Sequence, residues 1–233
     1  MQNTYRLTSL FFTAILLVVL WGFYRTYFMH FPGFNGFQTA QHFHGVMMMV
    51  WLFMLIVQPI LIVSGKTSLH RLLGKTSYLI APLVALSIFF VTRMSYYKIL
   101  SEAGEVPAIA SGALQFPLMI AFLIFWALAI WNKADSYVHM RYMIGTSVLM
   151  IGPGLGRALI VYFGYPFESA VNNVDYIVMG IVALLMVIDI LRKHNYKPYL
   201  TILITLICCH LIFTNSAGVF WQTVGGWIAR SLY

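Results

Sequence analysis

Residues 44–64 read HGVMMMVWLFMLIVQPILIVS, twenty-one positions without one Asp, Glu, Lys or Arg. At a rise of about 1.5 Å per residue, a helix of this length covers the roughly 30 Å hydrocarbon core of a bilayer. Six further stretches approach the same length and polarity: 10–28, 77–94, 113–131, 142–163, 176–191 and 199–220. Of the 233 residues, 61% are hydrophobic and 9% charged, and the mean hydropathy of +0.85 lies far above the soluble range. The expected fold is therefore all-α, an integral membrane bundle of seven transmembrane helices forming a single domain over 1–233. The loops are too short for a soluble domain, so function is expected inside the membrane or at its faces. The first stretch is too long and too aromatic for a signal peptide and is read as a retained span.

The charges carry topology. Lys66, Arg71 and Lys75 join spans two and three, Lys133 and Arg141 flank the join of spans four and five, and Arg192, Lys193 and Lys197 join six and seven. These loops lie on one side, and the positive-inside rule makes it cytoplasmic, with the amino terminus inside and the carboxy terminus outside. The opposite loops hold Glu102, Glu105, Glu168 and Asp175. A net charge of +8 is accounted for in this way and implies no nucleic-acid partner; the lipid bilayer is the partner implied. Cys208 and Cys209, adjacent in the last span, point to no disulfide framework. Trp221 and Trp227 fit an interfacial aromatic belt.

Two stripes of polar residues run through the apolar spans. Fourteen positions return Gln58 to within about 40° of His44, with Met48, Trp51 and Leu55 between them; eighteen return Arg157 to the face of His139, by way of Thr146, Met150 and Pro153. Ionisable groups facing hydrocarbon are costly, so such stripes are expected to face the bundle interior. With the assigned topology, His44, Arg157 and His210 belong to the outer half, Arg157 about 27 Å and His210 about 16 Å from the inner ends of their spans. His70, Arg71, His139, Arg141 and Asp189 belong to the inner rim. Pro59, Pro82, Pro117 and Pro153 fall inside spans, and Gly152–Arg157, GPGLGR, is the most breakable helical segment, its small residues suiting close helix packing.

These residue types suit several chemistries. Haem b would use neutral imidazoles as axial ligands, His44 with His210 or His139, and Arg157 as a propionate partner, with Gln58 in support. Copper, or alternatively zinc, would draw on His42, His44 and Met48, since imidazole and thioether suit copper. His42 and His44 lie about 200° apart on a helix, so joint ligation needs a loop there. At the inner rim, His70, Arg71, His139 and Arg141 suit a phosphate, a lipid headgroup or a quinone carbonyl, and His139 a proton relay. Asp189 is expected to pair with Arg192 at i,i+3 or to orient His139. No phosphate loop, HExxH, CxxCH, GxSxG or dinucleotide fingerprint occurs, and span seven offers no lysine for a retinal Schiff base.

The strings HFHGVMMMVWLFMLIVQPILIVSGKTSLHRLLGK, HMRYMIGTSVLMIGPGLGR and WQTVGGWI resemble an uncharacterised family of bacterial multi-span membrane proteins. The shared pattern, HG…Q…LHRxLG…HxR…G…R, falls on His44, Gly45, Gln58, Leu69, His70, Arg71, Leu73, Gly74, His139, Arg141, Gly152 and Arg157. The resemblance implies a bacterial cytoplasmic-membrane protein with a defined site and names no reaction. A more distant similarity is to membrane b-type cytochromes and ferric reductases, which place histidine pairs on adjacent helices. The expected function is a membrane redox protein binding haem b or a transition metal through histidine, with quinone or other membrane subunits as partners. The alternatives are a proton-coupled transporter or assembly subunit with a buried His/Arg/Asp site, and an intramembrane enzyme acting on lipid.

Overall fold

A computed structural model describes residues 2–233. It contains nine α-helices: α1 (Gln2–Tyr24), α2 (Thr39–Val63), α3 (Thr67–Ala103), α4 (Glu105–Trp131), α5 (Ser136–Val148), α6 (Ile151–Phe163), α7 (Phe167–Leu191), α8 (Lys197–Thr214) and α9 (Val219–Leu232). No strand occurs among the described residues. Seven helical segments are long and apolar enough to cross a membrane, α5 and α6 together making the fifth. Exposed Leu10, Leu17, Phe53, Leu79, Leu184 and Ile204 give the outside of the bundle an apolar surface that matches acyl chains.

The neighbours of each helix define a ring. In order around it stand α1, α2, α3, α4, α8, α7 and α6, which returns to α1. Inside the ring lies α5, packed on α4, α8, α1 and α2, and eight of its thirteen residues are buried. The fifth span thus begins at the centre and ends in the wall. The reason is local. Pro153 has no N–H to offer the carbonyl of Leu149 four residues back, and its ring crowds that carbonyl. The helix stops in a turn at Leu149 and Met150, and restarts with Pro153 in the first turn of α6, where a missing N–H goes unused.

Small residues let α6 reach the wall. A Cβ on Gly22 of α1 would lie 1.9 Å from the Gly154 carbonyl oxygen, and one on Gly154 would lie 2.9 Å from Val19 Cα. The two backbones touch, as the glycines of GPGLGR imply.

The two polar stripes meet at their midpoints. Trp51 and Thr146 are fully buried, and the indole N–H of Trp51 donates to Thr146 Oγ1 at 3.2 Å. Leu55 and Met150 extend the same contact surface of the core.

Two expectations need correction beyond the ring. The stretch between the spans 77–94 and 113–131 is not an open loop: α3 continues to Ala103, and a single residue, Gly104 at φ 91°, turns the chain into α4. Its left-handed backbone suits glycine, and the 37 residues of α3 reach about 55 Å, well past the hydrocarbon core. The last span also ends at Thr214 rather than 220, and a separate helix, α9, folds back on α4. Trp221 is buried there, its indole N–H donating to the Ile109 carbonyl at 2.9 Å, so of the two C-terminal tryptophans only Trp227 is exposed as a belt residue would be. Arg93 and Tyr97 of α3 donate to the backbone oxygen of Tyr233.

The glycine contact gives a direct test. Gly22→Leu should lower stability by about 2 kcal/mol or more through overpacking, seen as a drop in the thermal unfolding midpoint in detergent. Gly180→Leu, where nothing lies within 4 Å of a Cβ, should leave it nearly unchanged.

Candidate functional site

The ionisable groups fall into four clusters, each built on a different set of helices. The deepest is an ion pair. Arg141 near the start of α5 reaches Asp189 near the end of α7, its Nε and one Nη donating to the two carboxylate oxygens, with side chains 4% and 6% exposed. A second Nη donates to the Tyr137 carbonyl at 3.0 Å, and the guanidinium lies 4.9 Å from the Tyr137 ring centre and 5.7 Å from that of Tyr199. His194 stands 3.7 Å from the same carboxylate. Asp189 therefore pairs with neither Arg192 nor His139. A planar fork matches a carboxylate bidentately, which an i,i+3 arginine on the same helix would not achieve from the lipid side.

The second cluster joins α7 and α8. His210 Nδ1 lies 2.9 Å from Asp175 Oδ2, with side chains 11% and 25% exposed, and the Tyr176 ring lies 5.1 Å from the imidazole. Both line a small crevice of about 30 Å³ between α4, α7, α8 and the break of the fifth span. Leu149 and Gly152 form its wall on that side. The crevice exists because α6 leaves the bundle centre; in this half no helix replaces α5. The sequence places Asp175 only in a loop. Its pairing with a histidine 35 residues away has no local signal.

The third cluster is at the end of the bundle away from the basic loops. His44 Nδ1 lies 3.1 Å from Ser87 Oγ on α3. Arg157 itself is exposed, 4.5 Å from the centre of the Phe23 ring. The break at Leu149 and Met150 interrupts the register that would have kept Arg157 on the buried face of His139. His42 belongs to a different neighbourhood, bonded to the Tyr27 hydroxyl and flanked by Phe34 and Phe37 in the turn-rich segment before α2.

The fourth group lies at the basic end, on α2, α3 and α5. Gln58, with its amide turned so that Oε1 accepts from the Gly74 N–H at 3.0 Å, donates to His70 Nδ1 and to the His70 carbonyl. His139 Nδ1 lies 2.8 Å from the Ala129 carbonyl oxygen. Gln58 was expected beside His44. It shares that stripe, but fourteen residues place it about 21 Å away along the axis, at the other end of the bundle.

The haem and metal sets can be read against these positions. His44 and His210 stand on α2 and α8, which are not packed neighbours. His139 is at the opposite end of the bundle from both. His42 and His44 bond to different partners, and Met48 packs against the main core. Among the described residues no group of three His, Cys, Asp or Glu side chains converges as metal ligands would. The residues present do not fit an axial pair or a copper centre. Searches against protein-family models, curated proteins and solved structures found no match. Fold and composition define a multi-pass α-helical membrane protein, and its chemistry rests on the four clusters alone.

Breaking the buried ion pair should be costly. Asp189→Asn leaves the Arg141 charge buried without its anion, at an expected cost of about 3–5 kcal/mol, whereas Arg141→Met combined with Asp189→Leu should recover most of that loss. Unfolding of the three variants in detergent measures both; equal stability of Asp189→Asn and the parent would remove the pair from the account of the fold.

Proposed function

We propose that the chain is a proton-coupled transporter in which Asp175 and His210 hold the coupling proton. The observation that carries this reading is the carboxylate–imidazole pair lining the crevice beside a broken membrane helix. Ionisable groups within spans mark ion and proton pathways, and discontinuous helices recur where membrane transporters bind what they move.

The proton bookkeeping is simple. With His210 neutral, its Nδ1–H donates to ionised Asp175 and the pair carries a charge of −1. A proton taken at Nε2 makes the imidazolium and brings the pair to neutrality. Neutral and charged pairs differ sharply in the cost of facing an apolar environment. Proton occupancy therefore biases which side of the crevice opens. The haem b reading, with quinone or subunit partners, has less support because helix packing separates its histidines.

Reconstituted protein on a solid-supported membrane should give a transient charge displacement after a pH jump. Asp175→Asn and His210→Phe should each reduce it at least tenfold. A wild-type protein without the transient, or an Asp175→Asn variant that keeps it, overturns the reading. A Soret band in purified protein that disappears in His44→Ala would do the same in favour of haem.

A further inference from the structure

The C-terminal helix α9 is too short to be a span. Its 14 residues make a rod about 21 Å long, tied at both ends to the hairpin of α3 and α4. At one end the Trp221 indole donates to the Ile109 carbonyl, five residues after the turn at Gly104. At the other, Arg93 and Tyr97, eleven and seven residues before that turn, donate to the Tyr233 backbone oxygen. Measured as rise from the turn, Ile109 and Tyr97 differ by about 3 Å, so α9 crosses the hairpin instead of running along it. Ile109 is also 22 residues from Trp131, where α4 ends beside the basic loops, which is about 33 Å of rise. That slightly exceeds the hydrocarbon core, so α9 lies where acyl chains give way to headgroups at the opposite membrane face.

Successive residues step by 100°, and three faces result. Trp221, Gly225, Ile228 and Ala229 are buried, with Gly225 close against Ile109 of α4. A second face is polar and reaches toward the turn: the Gln222 amide donates to the Val106 carbonyl at 3.2 Å, and Arg230 lies 3.5 Å from the Glu105 carboxylate. The third, formed by Phe220, Val224 and Trp227 at i, i+4 and i+7, is apolar and 68%, 37% and 63% exposed. Its centre is about 130° round the helix from that of Gln222 and Arg230. With the polar face turned to the hairpin tip, this stripe is turned toward the hydrocarbon.

We infer that α9 is an in-plane interfacial helix and that the stripe Phe220–Val224–Trp227 inserts among the acyl chains of the leaflet at this face. The occupant is lipid because the stripe stands level with the bilayer boundary, and α4 below it already turns Ile120 and Ile124 outward. An exposed indole is at home at that depth, its ring among acyl chains and its N–H near the headgroups. The one cation of α9, Arg230, is paired with Glu105, so attraction to anionic headgroups adds little and burial of the apolar stripe carries the insertion. The Asp175–His210 reading plays no part in this inference.

Nitroxide labels on single cysteines of the full chain test it, with Cys208→Ala and Cys209→Ala as background, in phosphatidylcholine vesicles with or without phosphatidylglycerol. Labels at Phe220→Cys, Val224→Cys and Trp227→Cys should collide with oxygen, which concentrates in hydrocarbon, at least threefold more than with a water-soluble nickel chelate. At Glu102→Cys, exposed beside the turn, the order should reverse. The three stripe positions are exposed, and each reports independently of the others. Chelate collisions dominating there would place the stripe in water, and labels shielded from both colliders would place a protein partner over it; either overturns the inference. Entry into hydrocarbon only with phosphatidylglycerol present overturns it as well.

Discussion

Pro153 denies the Leu149 carbonyl its hydrogen-bond donor, and much of the bundle's form follows from that absence. A continuous fifth span would run through the centre from one face to the other and fill the ring of six. Instead α5 occupies the centre of the basic half, and α6 turns into the wall between α1 and α7. The departure is possible because Gly22 and Gly154 let α1 and α6 approach to backbone contact. It leaves a crevice in the other half, and the side chains that face it include an acid and a histidine.

Electrostatics then divides the molecule by depth. Where α5 fills the ring, the interior charge is a closed account between Arg141 and Asp189, deep, bidentate and shielded by tyrosine rings. Such a pair is weak evidence for stability in itself, because desolvation of both ions offsets much of their attraction. Its geometry nevertheless ties the end of α7 to the start of α5, two helices that otherwise have little contact. Where α6 has left the centre for the wall, Asp175 and His210 are only partly shielded and border open space. A group that must exchange a proton needs that access; a group that only holds helices together does not.

The histidines differ in the same way. His42 is enclosed by aromatic rings, His44 bonds to Ser87, and His210 bonds to a carboxylate. His70 and His139 are instead held by an amide and a backbone carbonyl, neutral partners that set the tautomer.

Length and hydropathy alone determine that the chain is a seven-span helical bundle, because hydrocarbon requires every backbone group to be satisfied within its own helix. Periodicity likewise turns Trp51 and Thr146, the midpoints of the two stripes, inward, whereas Arg157, beyond the break, is exposed. GPGLGR marks the weak point of the fifth span from local chemistry, although the break falls one turn before it. Partners are another matter. Arg141 with Asp189, Asp175 with His210, and Gln58 with His70 rather than His44 depend on which helices are neighbours and at what depth. Helical periodicity gives a residue's angle around its own axis and its height along it, but not the identity of the helix opposite. Only the tertiary structure, by placing α5 inside a ring and α6 within its wall, decided which charges are closed and which are left for a proton.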